Sequence, residues 1–299
     1  MANRKKIHPR TLRILIEIPV LVTILVLLIV WIGSLWNSMG QTDRDEEADR
    51  PRPTESAPVE TTPEDTTPKD TSPEGVMDAF LQTNGLTVAD YPDYVLQAYQ
   101  TAAYEDQNPL FETQDFLLNY PIYHGVAQNV DISNVDLSPG VPLFLQWDQR
   151  WGYVDYGVSI CGIGGCGPTT LSMVAYYLTG NTKYTPVFMM EYAIANKHNG
   201  AGGGTNWSLF KEGAVDLGFT VKELPAIKSK VVEALEAGKP VVINVGEGYF
   251  TTGGHYMVIV DYQDGLFRIN DPNSPFNSEQ WWDWDFFIGD VKVLWAISK

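Results

Sequence analysis

The sequence predicts an α+β domain, a helix packed on an antiparallel sheet, preceded by a single transmembrane helix and a disordered linker. Three observations predict it. An apolar run of membrane-spanning length follows a basic N-terminal tip. A Thr/Pro/acidic tract without apolar periodicity comes next. The C-terminal half then alternates helical-period stretches with short apolar runs such as VVINV, YMVIVDY and VKVLWAI.

Residues 1–13 hold five bases and no acid, and residues 14–36 are almost wholly apolar. At ~1.5 Å per residue this segment reaches roughly 34 Å, enough for a hydrocarbon core of about 30 Å. Glu17 is its one charge, Pro19 sits in its first turn, and Trp31 and Trp36 lie where an aromatic belt is expected. Basic flanks stay in the cytoplasm, so the chain beyond residue 36 is expected outside the cell. A cleaved signal peptide is the competing reading. Its apolar core should be shorter and end in a small-residue cleavage site, whereas this run ends in WIGSLWNSMG.

Residues 37–75 form the linker. Prolines at 53, 58, 63, 68 and 73 recur every fifth residue among eleven acids and four bases. Such a segment cannot bury enough surface to fold, and fully extended it would hold a domain as far as ~100 Å from the membrane. A stalk through a cell wall is one use. Residues 76–139 are expected to be a helical extension packed on the next domain, with a separate peptide-binding module as the alternative. Tyr91, Val95, Ala98 and Ala102 make a helical stripe, and Asn108-Pro109 opens a second helix that stops at Tyr120-Pro121.

The main domain spans 140–299. Gly164-Gly165-Cys166-Gly167-Pro168 precedes Leu171, Val174, Ala175 and Leu178, a buried helical face running to Gly180. Cys166 thus falls at a helix N-terminus, where unpaired amides and the dipole stabilise an anion. The thiolate is the nucleophilic form of cysteine, although a free Cys is most often buried and inert. Thr185-Pro186 starts another helix, Thr205 is expected to cap one ending at Leu217-Gly218, and Lys230–Ala237 forms a third.

His255 opens the strand YMVIVDY behind the loop GEGYFTTGG, a suitable place for a base. His124 and His198 read as plain surface residues. Asp271 ends the strand after Gln263-Asp264-Gly265. A three-residue loop there, with Gly265 at positive φ, sets Asp271 opposite Met257 and diagonal to His255. A two-residue loop, with Gln263 opposite Leu266, would turn Asp271 to the other face. Cys166, His255 and Asp271 together follow the nucleophile, base and orienter logic of covalent catalysis. Trp281, Trp282 and Trp284 are expected to pack in the core and cleft, with sugar stacking the alternative.

The blocks Gln146-Trp147-Asp148-Gln149-Arg150-Trp151-Gly152, GCGPTTLSMV, GTNWS, GGHYMVIV and NDPNS, in this order, resemble the papain-like cysteine peptidases of the bacteriocin-processing, double-glycine peptidase type. They are most similar to stand-alone, surface-exposed members. The resemblance implies a papain-like fold, with Cys166 as nucleophile, His255 as base and Asp271 as its partner. It also implies that Gln146 lends its amide to the oxyanion hole, with Gln149 as the other candidate. Cys161 departs from the motif; it is either a small buried residue or a redox control point paired with Cys166.

The expected function is a membrane-anchored extracellular thiol peptidase acting on a peptide or protein substrate, without metal or organic cofactor. The spacing of Cys161, Cys166 and His255 fits no common metal site. An inactive peptide- or cell-wall-binding module on the same fold is the runner-up, and an acyl transferase using the same residues is the third. A net charge of −17 disfavours nucleic acid as a partner, and two Cys exclude a disulfide-rich scaffold.

Overall fold

Ser72 and Pro73 open the first described helix, α1 (Pro73–Asn84). The Ser72 side chain accepts from the Gly75 amide, and Gly85 closes the helix at φ 65°. The computed structural model describes residues 70–104 and 113–299. The transmembrane helix expected at 14–36, its basic tip, the linker up to residue 69 and the Asn108-Pro109 helix start lie outside the described residues. Helix α1 nonetheless corrects the linker boundary, since its cap and first turn lie within 72–75. Among the described residues, no helix is long and apolar enough to cross a membrane.

Helix α2 (Asp93–Tyr104) is followed by α3 (Gln114–Leu118) and α4 (Tyr120–Tyr123). Pro121 does not end a helix, as the sequence suggested. It sits in the first turn of α4, where its missing N–H costs nothing. Tyr91, Val95, Tyr99 and Ala102 are buried with Phe116, Leu117 and Tyr120 and with Tyr153 and Ile160 of the following segment. The Tyr91 hydroxyl donates to the Leu118 carbonyl at 2.6 Å, and that of Tyr153 to the Phe116 carbonyl at 2.8 Å. The helices therefore share a core with the segment that leads to Cys166.

A two-stranded ribbon, β1 (Asp155–Tyr156) and β2 (Ser159–Ile160), leads into α5 (Cys161–Gly164) and the long α6 (Cys166–Thr179). Helix α6 ends at Gly180 with φ 62°. Helix α7 (Pro186–Ala195) is capped by Thr185, whose hydroxyl accepts from the Phe188 amide at 3.1 Å. A π-turn over Leu209–Gly213 runs into the short α8 (Ala214–Asp216). Thr205 does not cap it, because the Thr205 hydroxyl is paired with that of Tyr156 at 2.9 Å.

Next come β3 (Thr220–Leu224), α9 (Lys228–Glu236), β4 (Val241–Val245), β5 (His255–Gln263) and β6 (Leu266–Asn270). Helix α10 (Pro275–Glu279), β7 (Trp281–Asp283), α11 (Trp284–Phe287) and β8 (Val291–Ser298) complete the chain. The six-stranded sheet has the order β3-β8-β4-β5-β6-β7, and every neighbouring pair is antiparallel.

Both faces of the sheet are covered, which is why the central strand β4 is an unbroken apolar run apart from Asn244. Val242, Val258, Trp295 and Ile297 share one core with Leu171, Val174 and Ala175 of α6. The alternate residues Val241, Ile243, Val245, Met257 and Ile259 share the other with Val231 of α9, Trp282 and Phe287. Each such aliphatic side chain contributes about 1.5–3 kcal/mol on burial. Trp282 and Trp284 are packing residues, whereas Trp281 is exposed.

Candidate active site

Cys166 is the first residue of α6, with Gly165 before it. Backbone packing brings it there. The Gly165 amide donates to the Cys161 carbonyl at 2.7 Å. A side chain at Gly165 would strike Cys161, one at Gly164 the Gly203 carbonyl, one at Gly167 Thr205, and one at Gly162 the Phe116 ring. The glycines around the nucleophile are thus contact surfaces where neighbouring segments close on the turn. Cys166 is largely buried, yet it edges a cleft of about 700 Å³ that His255 and Gln146 also line.

Cys161 is not bonded to Cys166; both thiols are free. Its sulfur lies wholly inside, 3.8 Å from the Thr169 hydroxyl. Burial pushes the Cys161 thiol up to about 12, against the opposing hydrogen bond from Thr169. That is the behaviour of an inert core thiol.

His255 is the first residue of β5. Its carbonyl accepts from the Asn244 side chain at 3.1 Å, and Asn244 accepts in turn from the Trp207 indole at 3.0 Å. The ring Nε2 donates to Asp271 Oδ1 at 2.7 Å, and both side chains are nearly inaccessible. This bond leaves Nδ1 for Cys166. Burial by itself would lower the His255 pKa. The Asp271 charge and hydrogen bond override it, with a smaller push from Cys166, and raise it to about 10. The Asp271 carboxylate thus favours the protonated ring over the neutral one.

The pairing survives a wrong expectation about the hairpin. Gln263 does pair with Leu266, so the loop is the two-residue Asp264-Gly265 and not the three-residue one. Both of its residues have positive φ, 52° and 90°, the backbone that matches strand twist. Alone, that register would turn Asp271 away. A β-bulge between Ile259 and Asp261 adds one residue to β5, after which Ile259 pairs with Ile269 and Val258 with Asn270. The bulge restores the phase that a three-residue loop would have given, and Asp271 falls on the His255 side.

Two residues of this site went unread in the sequence. Asn277, fully buried, donates to Asp271 Oδ2 at 2.8 Å. The Asn273 amide donates to Oδ1 at 2.8 Å, and the Asp271 amide to the Ser278 hydroxyl at 2.9 Å. Asn277 had one sequence signal, the cap-and-proline start Ser274-Pro275, with Ser274 accepting from the Asn277 amide at 3.0 Å. Asn244 had none, being an Asn in the middle of an apolar strand.

Gln146 lines the cleft, whereas Gln149 is exposed and lies outside it. Gln146 Nε2 donates to the Gly162 and Ile163 carbonyls at 3.0 and 3.3 Å. It ties the turn at 146 to the turn before Cys166. His198 also departs from expectation. It is buried, with Nδ1 2.8 Å from the Ser208 hydroxyl and the ring against Tyr192 and Gly213, because the glycine loop after it folds back onto the domain. His124 is half-buried, with Nε2 2.9 Å from Asp155. Among the described residues, no group of three or more His, Cys, Asp or Glu could hold a metal ion.

Residues 139–298 match the Peptidase_C39 like family. The chain belongs to this family. As a Peptidase_C39 like protein it is a cysteine peptidase with an α+β fold and an antiparallel sheet. Among solved structures it is similar to the peptidase domain of Streptococcus ComA, a bifunctional ABC transporter involved in a quorum-sensing pathway. That match has 24% identity over 52% of this chain and 96% of that one, with a TM-score of 0.37. It is also similar to a C39-like peptidase from Bacillus anthracis, at 18% identity over 56% of this chain and 96% of that one, with a TM-score of 0.33. No curated protein matches the chain.

Proposed function

We propose that this Peptidase_C39 like protein is a membrane-anchored extracellular peptidase that hydrolyses amide bonds through Cys166, His255 and Asp271. The observation that carries the reading is the buried 2.7 Å bond from His255 to Asp271, in a cleft that Cys166 edges from a helix start. The imidazolium provides the counter-charge that a thiolate nucleophile requires. The Cys166 sulfur attacks the substrate carbonyl carbon, and the carbonyl π electrons move to oxygen. When the tetrahedral species collapses, the C–N bond breaks and His255 gives its proton to the leaving amine. Water then attacks the thioester with His255 taking its proton, the C–S bond breaks, and the acid leaves with the thiolate–imidazolium pair restored.

The oxyanion is assigned to the Cys166 backbone N–H and the Gln146 amide, a contribution of about 3–4 kcal/mol per donor. The longer Gln146 contact, to Ile163 at 3.3 Å, is the one that substrate would replace. The basic tip and the apolar run at 14–36 support an anchor with the N-terminus inside.

A thiol-directed electrophile tests the chemistry. Cys166 is expected to be labelled in the wild type, more slowly in His255→Ala and not at all in Cys166→Ala, which should keep its fold but lose all peptide cleavage. Labelling of Cys161 instead, or none under reducing conditions, favours a binding module. Ligated product on adding an amine acceptor identifies acyl transfer. Protease shaving of intact cells should remove the domain from the membrane fraction; protection of the domain overturns the topology.

A further inference from the structure

The family match starts at residue 139, yet the cleft does not. Tyr94, Gln97, Ala98, Thr101 and Ala102 of α2 line it together with Cys166 and His255. Their spacing, i, i+3, i+4, i+7 and i+8, is one face of a helix. Val95 and Tyr99, on the adjoining face, are buried in the core shared with α3, and Ala102 at the boundary is buried with them. Packing thus accounts for Val95, Tyr99 and Ala102, whereas Gln97 and Thr101 lie outside that core and line the cleft.

The wall is fixed relative to the nucleophile. Phe116 of α3 stacks on Tyr153 with ring centroids 4.2 Å apart, and its ring fills the space beside Gly162, in the turn that leads to Cys166. Gly202, Gly203 and Val158 also line the cleft. In a chain of net charge −17, none of the described residues lining this cleft is Asp, Glu, Lys or Arg. Away from the His255–Asp271 pair, a charged substrate side chain entering it would lose water without meeting a counter-charge among the described residues.

We propose that α2, outside the family-matched segment, is a substrate-reading wall of the peptidase. It selects extended peptide segments whose residues beside the scissile bond are uncharged, with Gln97 as the specificity-determining side chain. This rests on the peptidase reading of Cys166. Gln97 is exposed, and its amide can both donate to and accept from a peptide backbone. Ala98, one position on, is small enough to let that backbone approach.

The full chain is treated with peptidyl electrophiles that differ only in carrying Ala, Lys or Glu, at each of four positions before the reactive group. The rate of Cys166 modification is divided by the same variant's rate with iodoacetamide. In the wild type, the Ala probe is expected to exceed the Lys and Glu probes at least 10-fold at one or more positions. Gln97→Lys should raise the Glu-to-Ala ratio there about 10-fold, and Gln97→Glu the Lys-to-Ala ratio likewise. Ratios unmoved in both variants overturn the wall and leave the peptidase standing. So does labelling by iodoacetamide but by no peptidyl probe. If no reagent modifies Cys166, the peptidase reading falls and the wall falls with it.

Discussion

The two halves of the candidate site are held by different physics. On the nucleophile side the turn from Cys161 to Gly167 is fixed by close backbone approach, four glycines each meeting a neighbour where a Cβ would not fit. On the base side, position comes from buried polar side chains. Asn277 and the Asn273 amide hold Asp271, Asp271 holds His255, and Asn244 and Trp207 hold the start of its strand. A close-packed backbone resists motion but tolerates no added atom. A hydrogen-bonded network tolerates similar shapes but fails when one partner is lost.

This contrast ranks the expected effects. Asp271→Ala should be the largest, because it leaves a buried imidazole without its partner. We expect a loss of about 3–5 kcal/mol in stability and of about 10²–10⁴ in kcat/KM. The His255 pKa is raised in the folded state. The stabilisation is therefore fully present below about pH 6.5 and is lost as pH rises through about 10. Denaturation midpoints of wild type and variant should accordingly be farthest apart at pH 6 and converge toward pH 10. The alkaline fall of wild-type activity, near pH 10, should move to lower pH in the variant. A constant gap in stability across that range would remove the charge coupling from the account.

Gly165→Ala comes next. Its methyl would meet the Cys161 carbonyl and sulfur, and the backbone there cannot yield cheaply. A cost of about 1–3 kcal/mol is expected, with slower Cys166 alkylation and an unmoved alkaline limb. Asn277→Leu should cost a comparable amount in stability, about 1.5–3 kcal/mol for one hydrogen bond to a charged group, and the least in Cys166 alkylation. Unlike the glycine variant, it should shift the alkaline limb, because it acts through Asp271. If Gly165→Ala moves the pH profile and Asn277→Leu does not, the division between the two sides is wrong.

The comparison also shows why parts of the site were legible. Cys166 announces itself through Gly-Cys-Gly-Pro ahead of a helical stripe, because local backbone rules dictate where a helix starts. A three-residue loop predicts the side on which Asp271 falls, but a two-residue loop and a bulge produce it. Loop length is set by local turn chemistry, and Asp264-Gly265 obeys it; the bulge at Val260 depends on how β5 lies between β4 and β6. His198 looked exposed since its neighbours are glycines and polar residues, but the chain folds that loop inward against Gly213.

The helix start at Cys166, the strand start at His255 and the short apolar runs of the sheet are readable from the chain alone. These follow from periodicity and capping, which act within a few residues. The register that joins His255 to Asp271, the support from Asn277, and the docking of Phe116 that brings α2 to the cleft emerge only in the folded chain. Each needs contacts between segments far apart in the chain, such as Tyr153 with Phe116 and Gln146 with Gly162. Local propensities carry no information about which distant surfaces will be complementary.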